Sequence, residues 1–150
     1  MDYSNMLIPV DGSEDAKAAC KVAAQLTRAL PGKETVHLLY CVEPIPSLIG
    51  GEQRTVLMQK HEEEALKIFS DASAVFNDND VNIKTWVKYG SIAEEIISTA
   101  SELGCTMIIM GTRGRSELTS IVIGSVSHDV LRHAAMPVLL VNKKHVNTNN

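Results

Sequence analysis

The sequence predicts a doubly wound α/β fold, a five-stranded parallel sheet with helices on both faces. Two observations carry the prediction. Short apolar runs alternate with longer amphipathic stretches along the chain, and most of the runs are apolar at every residue, as strands covered on both faces are. Five such strands joined by four helices require right-handed crossovers. A chain of 150 residues suits one domain, residues 1–150, large enough to bury about two-thirds of its unfolded surface.

The first strand is expected at 6–10, ending at Asp11-Gly12-Ser13. Pro9 is tolerable there only near the strand's end, because proline cannot donate to the ladder. Asp11 then stands at the carboxyl end of a strand, where open α/β sheets bind ligands. The alternative is that it caps the next helix, but Ser13 is available for that, which favours the ligand role. A helix over 14–30 follows, with Ala19, Val22, Ala23, Leu26 and Leu30 on one stripe, stopping at Pro31-Gly32. The second strand, 36–42, closes at Glu43-Pro44-Ile45-Pro46. With Gly50-Gly51, these prolines predict an irregular loop to about residue 55 that leaves the same sheet edge as Asp11.

Residues 53–76 read as a long helix with Leu57, Ala65, Ile68, Ala72 and Val75 inward; Glu62, Glu63 and Glu64 read as a solvated face. After a turn at 77–80, Val81, Ile83, Thr85 and Val87 alternate with Asn82, Lys84, Trp86 and Lys88. That is the pattern of an exposed edge strand, with Trp86 on its solvent side. Ser91 and Glu94 match a capping box opening a helix that stops at Gly104. The fourth strand is 107–110, a helix runs from Ser125 to about Ala135 before Pro137, and the fifth strand is 138–141. The polar tail, 142–150, is expected to be loose.

Chemistry concentrates between Met107 and Leu131. Gly111 and Gly114 allow a backbone to approach a ligand closely, and Gly124-Ser125 opens a helix whose positive dipole end attracts phosphate. The spacing is neither that of a Walker loop nor that of a dinucleotide fingerprint. It is G-x-x-G, nine residues, then Gly-Ser, and in this it resembles the ATP-binding branch of the universal stress protein family over nearly the whole chain. The resemblance implies the strand order 3-2-1-4-5, an adenine nucleotide alpha-hydrolase-like, Rossmann-like sandwich, and ATP with Mg2+ or Mn2+ as ligand. It puts Asp11 at the adenosine end and backbone atoms of Val42 at the adenine, and it counts Pro9, Val10 and Met110 among the ligand-binding residues. Gly111 and Gly114 fall near the ribose and first phosphate, and N–H groups of Gly124, Ser125 and Val126 at the outer phosphates. Arg113 and Arg115 either add charge there or are solvated loop residues. The 43–55 loop is either a flap over the nucleotide or a plain surface loop.

The net charge of −4 gives no reason to bind nucleic acid or an anionic membrane. With no signal-like start and no apolar run near the roughly 20 residues of a membrane span, a cytoplasmic location is expected. Cys20, Cys41 and Cys105 read as buried thiols. Strand 138–141 carries no guarding charge, so a homodimer joined there is expected, beside an unidentified protein partner. No nucleophile elbow or metal-ligand spacing stands out, and His128 and Asp129 read as polar residues of a first helical turn rather than as a general base. Two functions follow: a largely non-enzymatic ATP-binding stress regulator, or a weak ATPase or self-phosphorylating enzyme with Ser125 or Ser127 as acceptor.

Overall fold

The structure is a computed structural model that describes residues 2–30, 32–113 and 123–146. Five strands, β1 (Asn5–Pro9), β2 (Thr35–Val42), β3 (Asn82–Tyr89), β4 (Met107–Gly111) and β5 (Val138–Val141), form one parallel sheet in the order β3-β2-β1-β4-β5. Helices α1 (Glu14–Ala29) and α2 (Gly51–Ala74) cover one face; α3 (Ile92–Glu102) and α4 (Ser125–His133) cover the other. Alternation through the central strands divides the core. Met6 and Ile8 pack with Ala19, Ala23 and Phe69 on the α1 side, while Leu7 and Ile108 pack with Ile96 and Val130 on the α3 side. Small residues along α1, among them Ala16, Ala19, Cys20 and Ala23, let that helix lie close on the sheet.

Pro9 ends β1 where the sheet divides. The Val10 N–H donates to Leu39 C=O on the β2 side (2.8 Å), so odd-numbered residues of β1, such as Asn5 with its carbonyl on Thr106, face β4. The missing N–H of Pro9 therefore points toward β4, but the β1–β4 register has already ended at Leu7↔Ile108. β1 continues with β2 to Pro9↔Leu39, and β4 continues with β5 to Gly111↔Val141. The two halves part at the switch point of the topology, and a crevice opens between them.

Several expectations need correction. The tail is not loose as far as it is described: Lys143–His145 form a 3₁₀ turn, the Asn142 side chain accepts the Lys144 N–H, and Val146 packs on the core. Ser91 is the N-cap of α3, yet its hydroxyl makes no cap hydrogen bond, and it is Glu95, not Glu94, whose side chain folds back over Gly90. α2 starts two residues before the expected 53. The loop ahead of it is pinned by Arg54, whose Nη1 lies 3.2 Å from the Ile49 carbonyl and 3.5 Å from those of Ile45 and Pro46.

Trp86 does not sit out in solvent. It packs on the α3 side and donates its indole N–H to Nδ1 of His37 (3.0 Å). Because an indole only donates, Nδ1 is the acceptor and the proton is on Nε2, which lies 2.8 Å from Asn5 Oδ1; the Asn5 amide in turn donates to the Leu103 and Gly104 carbonyls. This chain of bonds staples β1, β2, β3 and the end of α3 together. Burial first, and Lys84 second, hold His37 below its usual pKa.

A second proton on His37 would oppose the indole N–H. Since the folded form binds that proton less well than the unfolded chain, the stabilisation is complete above the ordinary histidine pKa of about 6.5 and drains away as pH falls below it. His37→Phe should be less stable than wild type at pH 7.5, and its urea midpoint should fall less between pH 7.5 and pH 5. Parallel slopes for the two proteins would refute this assignment.

Candidate functional site

The crevice between β1 and β4 is a cavity of about 260 Å³ at the carboxyl ends of the central strands. Of the residues expected at a ligand site, Pro9, Val10, Asp11, Met110, Gly111, Arg113 and Val126 line it. Val42, Gly124 and Ser125 are not among the lining residues, and Gly114 and Arg115 lie outside the described residues. The Val42 carbonyl accepts the Gly90 N–H at 2.9 Å. Instead of Val42, β2 contributes Leu39, Tyr40 and Cys41 to the wall, and α3 contributes Ile92 and Ile96. These apolar residues were missed because they carry no motif. The one available signal was topological, since in a doubly wound sheet the residues that end β2 and begin α3 border the same crevice.

Asp11 and Ser13 share the turn after β1 as anticipated. Ser13 is the N-cap of α1, its hydroxyl accepting the Ala16 N–H (3.2 Å), and the Asp11 carboxylate accepts the Ser13 N–H (2.9 Å). Between them Gly12 takes φ +83°, which an L side chain adopts only with strain. Across the crevice, Gly111 meets α1 so closely that a Cβ on it would lie 2.7 Å from Asp15 Cβ and 2.8 Å from the Asp15 carbonyl carbon. The second reason for a glycine at 111 is thus packing between β4 and α1, beside any approach to a ligand.

The start of α4 faces this cavity through Val126 and Ser127. Gly124 is the N-cap, but its own N–H already donates to Thr112 C=O (2.7 Å), so it is not a donor for an anion as expected from sequence. The helical ladder begins with His128 N–H on Gly124 C=O; the N–H groups of Val126 and Ser127 come before it and carry the positive end of the dipole. The Ser127 hydroxyl is buried and donates between the Gly111 and Thr112 carbonyls, at 2.8 and 3.1 Å, which does not suit a phosphate acceptor. His128 and Asp129 are more than half exposed and 3.8 Å apart, and neither lines the cavity. The thiols are free; burial raises Cys20 and Cys41 to about 12 and Cys105 to about 11, so none is a nucleophile near neutral pH. Among the described residues no group of three or more His, Cys, Asp or Glu could hold a metal ion.

A larger cavity, about 590 Å³, lies on the other face between α1, α2 and the 3₁₀ turn, sharing Val10, Asp11 and Ala16 with the first. Size alone does not select it. The smaller cavity has the strand ends, the helix N-terminus and the arginine together, which is the arrangement that holds phosphorylated ligands.

The universal stress protein family model matches residues 2–142. Universal stress protein MJ0531 of Methanocaldococcus jannaschii is 30% identical over 146 residues, covering 94% of this chain and 83% of its own. Universal stress protein YxiE of Bacillus subtilis is 30% identical over 150 residues, covering 93% and 99%. The solved structure of protein MJ0577, also of M. jannaschii, superposes with a TM-score of 0.80 at 28% identity, over 95% of this chain and 97% of that one. A universal stress protein from Archaeoglobus fulgidus, solved in complex with dAMP, has the same fold with a TM-score of 0.66 at 21% identity, over 94% and 99%.

The tight contact at Gly111 is open to a direct test. Gly111→Ala should destabilise the fold by about 1–3 kcal/mol, since the first turn of α1 would have to shift. Urea unfolding followed by far-UV circular dichroism checks this, and an unchanged midpoint would mean that α1 gives way freely.

Proposed function

The chain belongs to the universal stress protein family, and from that premise we propose that it is a largely non-enzymatic stress-response regulator that binds ATP in the crevice between β1 and β4 and acts as a homodimer. The observation that carries the reading is the parting of β1 from β4 beside the N-terminus of α4. An apolar cleft made by Val10, Leu39, Ile92 and Met110 suits an adenosine, and Val126 and Ser127, at the wall in the first turn of α4, support a phosphate-binding role for that helix N-terminus. A cavity of about 260 Å³ is at the small end for ligand pockets. It suits the nucleoside end, leaving the outer phosphates and their Mg2+ or Mn2+ toward the open side. The dAMP complex of the A. fulgidus relative supports an adenine ligand.

The dimer reading is supported by β5. It ends the sheet, reads Val138-Leu139-Leu140-Val141 without a charge, and leaves Leu139 partly exposed. An edge of this kind pairs readily with a second copy. No described helix is long and apolar enough to cross a membrane.

Calorimetric titration of MgATP into nucleotide-stripped protein should give a dissociation constant on the order of micromolar. Ile92→Trp, which fills the cleft from a half-exposed position at the start of α3, should weaken binding by about tenfold or more. Absence of heat in the wild type would remove the nucleotide reading altogether.

Light scattering should give the wild type twice the chain mass of 16.3 kDa, and Leu139→Lys a single chain mass. A monomeric wild type at micromolar concentration would count against the dimer.

A further inference from the structure

Arg113 leaves the end of β4 and lines the cavity with its side chain only 18% exposed. Its one ion-pair partner among the described residues is Asp15, with Nε 3.5 Å from Oδ2. That Nε is buried and makes no hydrogen bond, so charge rather than a directed bond holds the guanidinium in place. Asp15 is 4% exposed and firmly fixed: Thr112 Oγ–H donates to Oδ2 (2.9 Å) and Lys143 N–H to Oδ1 (3.1 Å). Its backbone is locked against Gly111.

A partly buried cation held on one side by a fixed carboxylate keeps the rest of its donor fork for a second anion. Phosphate oxygens match that fork, and the N-terminus of α4 adds positive potential at the same wall. The remainder of the wall, including Val10, Leu39, Ile96 and Met110, is apolar and indifferent to charge.

We infer that Arg113, with Asp15 as its positioning residue, makes this cavity discriminate adenosine phosphates from adenosine itself. The inference rests on the nucleotide reading above and adds the group that reads the first phosphate. Asp15 acts by preventing the guanidinium from turning out to solvent. Its own negative charge opposes a phosphate, so the sign of its effect is decisive: a positioning role makes the carboxylate favourable to phosphate binding, and a mere counter-charge makes it unfavourable.

The experiment is calorimetric titration of adenosine, AMP and MgATP into nucleotide-stripped wild type, Arg113→Gln, Arg113→Lys and Asp15→Asn, each checked for its fold by thermal unfolding. Wild type should prefer AMP to adenosine by about tenfold or more, the scale of one charge-assisted hydrogen bond. Arg113→Gln should remove that preference with adenosine affinity unchanged. Arg113→Lys, which keeps the charge but not the fork, should restore part of it. Asp15→Asn should weaken AMP without weakening adenosine. Retention of the preference in Arg113→Gln would overturn the inference, and tighter AMP binding by Asp15→Asn would overturn the positioning role. Wild type binding adenosine and AMP equally would sink the inference while leaving the nucleotide reading intact; wild type binding none of the three would sink both. If Asp15→Asn does not fold, the two arginine variants still decide the role of Arg113, and Asp15→Glu, which keeps the charge on a longer arm, decides that of Asp15 by the same comparison of AMP with adenosine.

Discussion

The carboxyl edge of the sheet is governed by β1 losing its hydrogen-bonding partner on one side before the other. Its ladder to β4 ends at Leu7↔Ile108, while its ladder to β2 runs on to Pro9↔Leu39. A proline at this point costs no bond, because the strand it would face has already turned toward β5. The crevice is therefore a consequence of backbone pairing and does not depend on any one side chain. Crossovers in opposite directions from β1 and β4 bring the N-termini of α1 and α4 to its two sides, which is why the turn after β1 and the start of α4 meet there.

Beside the crevice, a buried charge ties α1 to the ends of β4 and β5. A carboxylate taken from water is tolerated only if its oxygens are bonded and its charge is matched. Asp15 meets both conditions with groups from three parts of the chain: the Thr112 hydroxyl and the Arg113 guanidinium after β4, the Lys143 amide after β5, and the first turn of its own helix. Removing any of these leaves a deficit at a position solvent does not reach. The constellation thus fixes the spacing between α1 and β4, which the absence of a Cβ at Gly111 permits.

The sheet was legible because central parallel strands must be apolar on both faces, so residues 6–10, 36–42 and 107–110 announce themselves by composition alone. β3 was harder. Its alternation correctly marks an edge, but Trp86 lies on the face read as wet, since α3 covers that face and His37 offers the indole an acceptor. Ser91 was found as a cap position although its hydroxyl does not cap, because propensity records where serine stands and not where its side chain turns. Asp15 drew no attention in the sequence, where it is one acid in a first helical turn. Its partners are 97, 98 and 128 residues away, by position in the chain, and no local pattern could bring them together. The tail was read as loose for the same reason, since its polar residues conceal the bond from Lys143 to Asp15 and the packing of Val146.

These contacts also bear on where an occupied crevice could make itself felt. A ligand shifts an equilibrium only through contacts that differ between two states. The 43–50 loop is already held by Arg54 on three carbonyls and by the buried Ile45, so it has little left to order. The stretch from β5 to Val146 is different in kind. It is anchored through the Lys143 amide to the same carboxylate that faces Arg113, and β5 is the sheet edge at which the dimer is proposed. A phosphate taken up by Arg113 while Asp15 holds it would change the charge balance at the carboxylate to which this stretch is bonded. Between the loop and the β5 edge, the latter has the physical connection to the cavity's charged group.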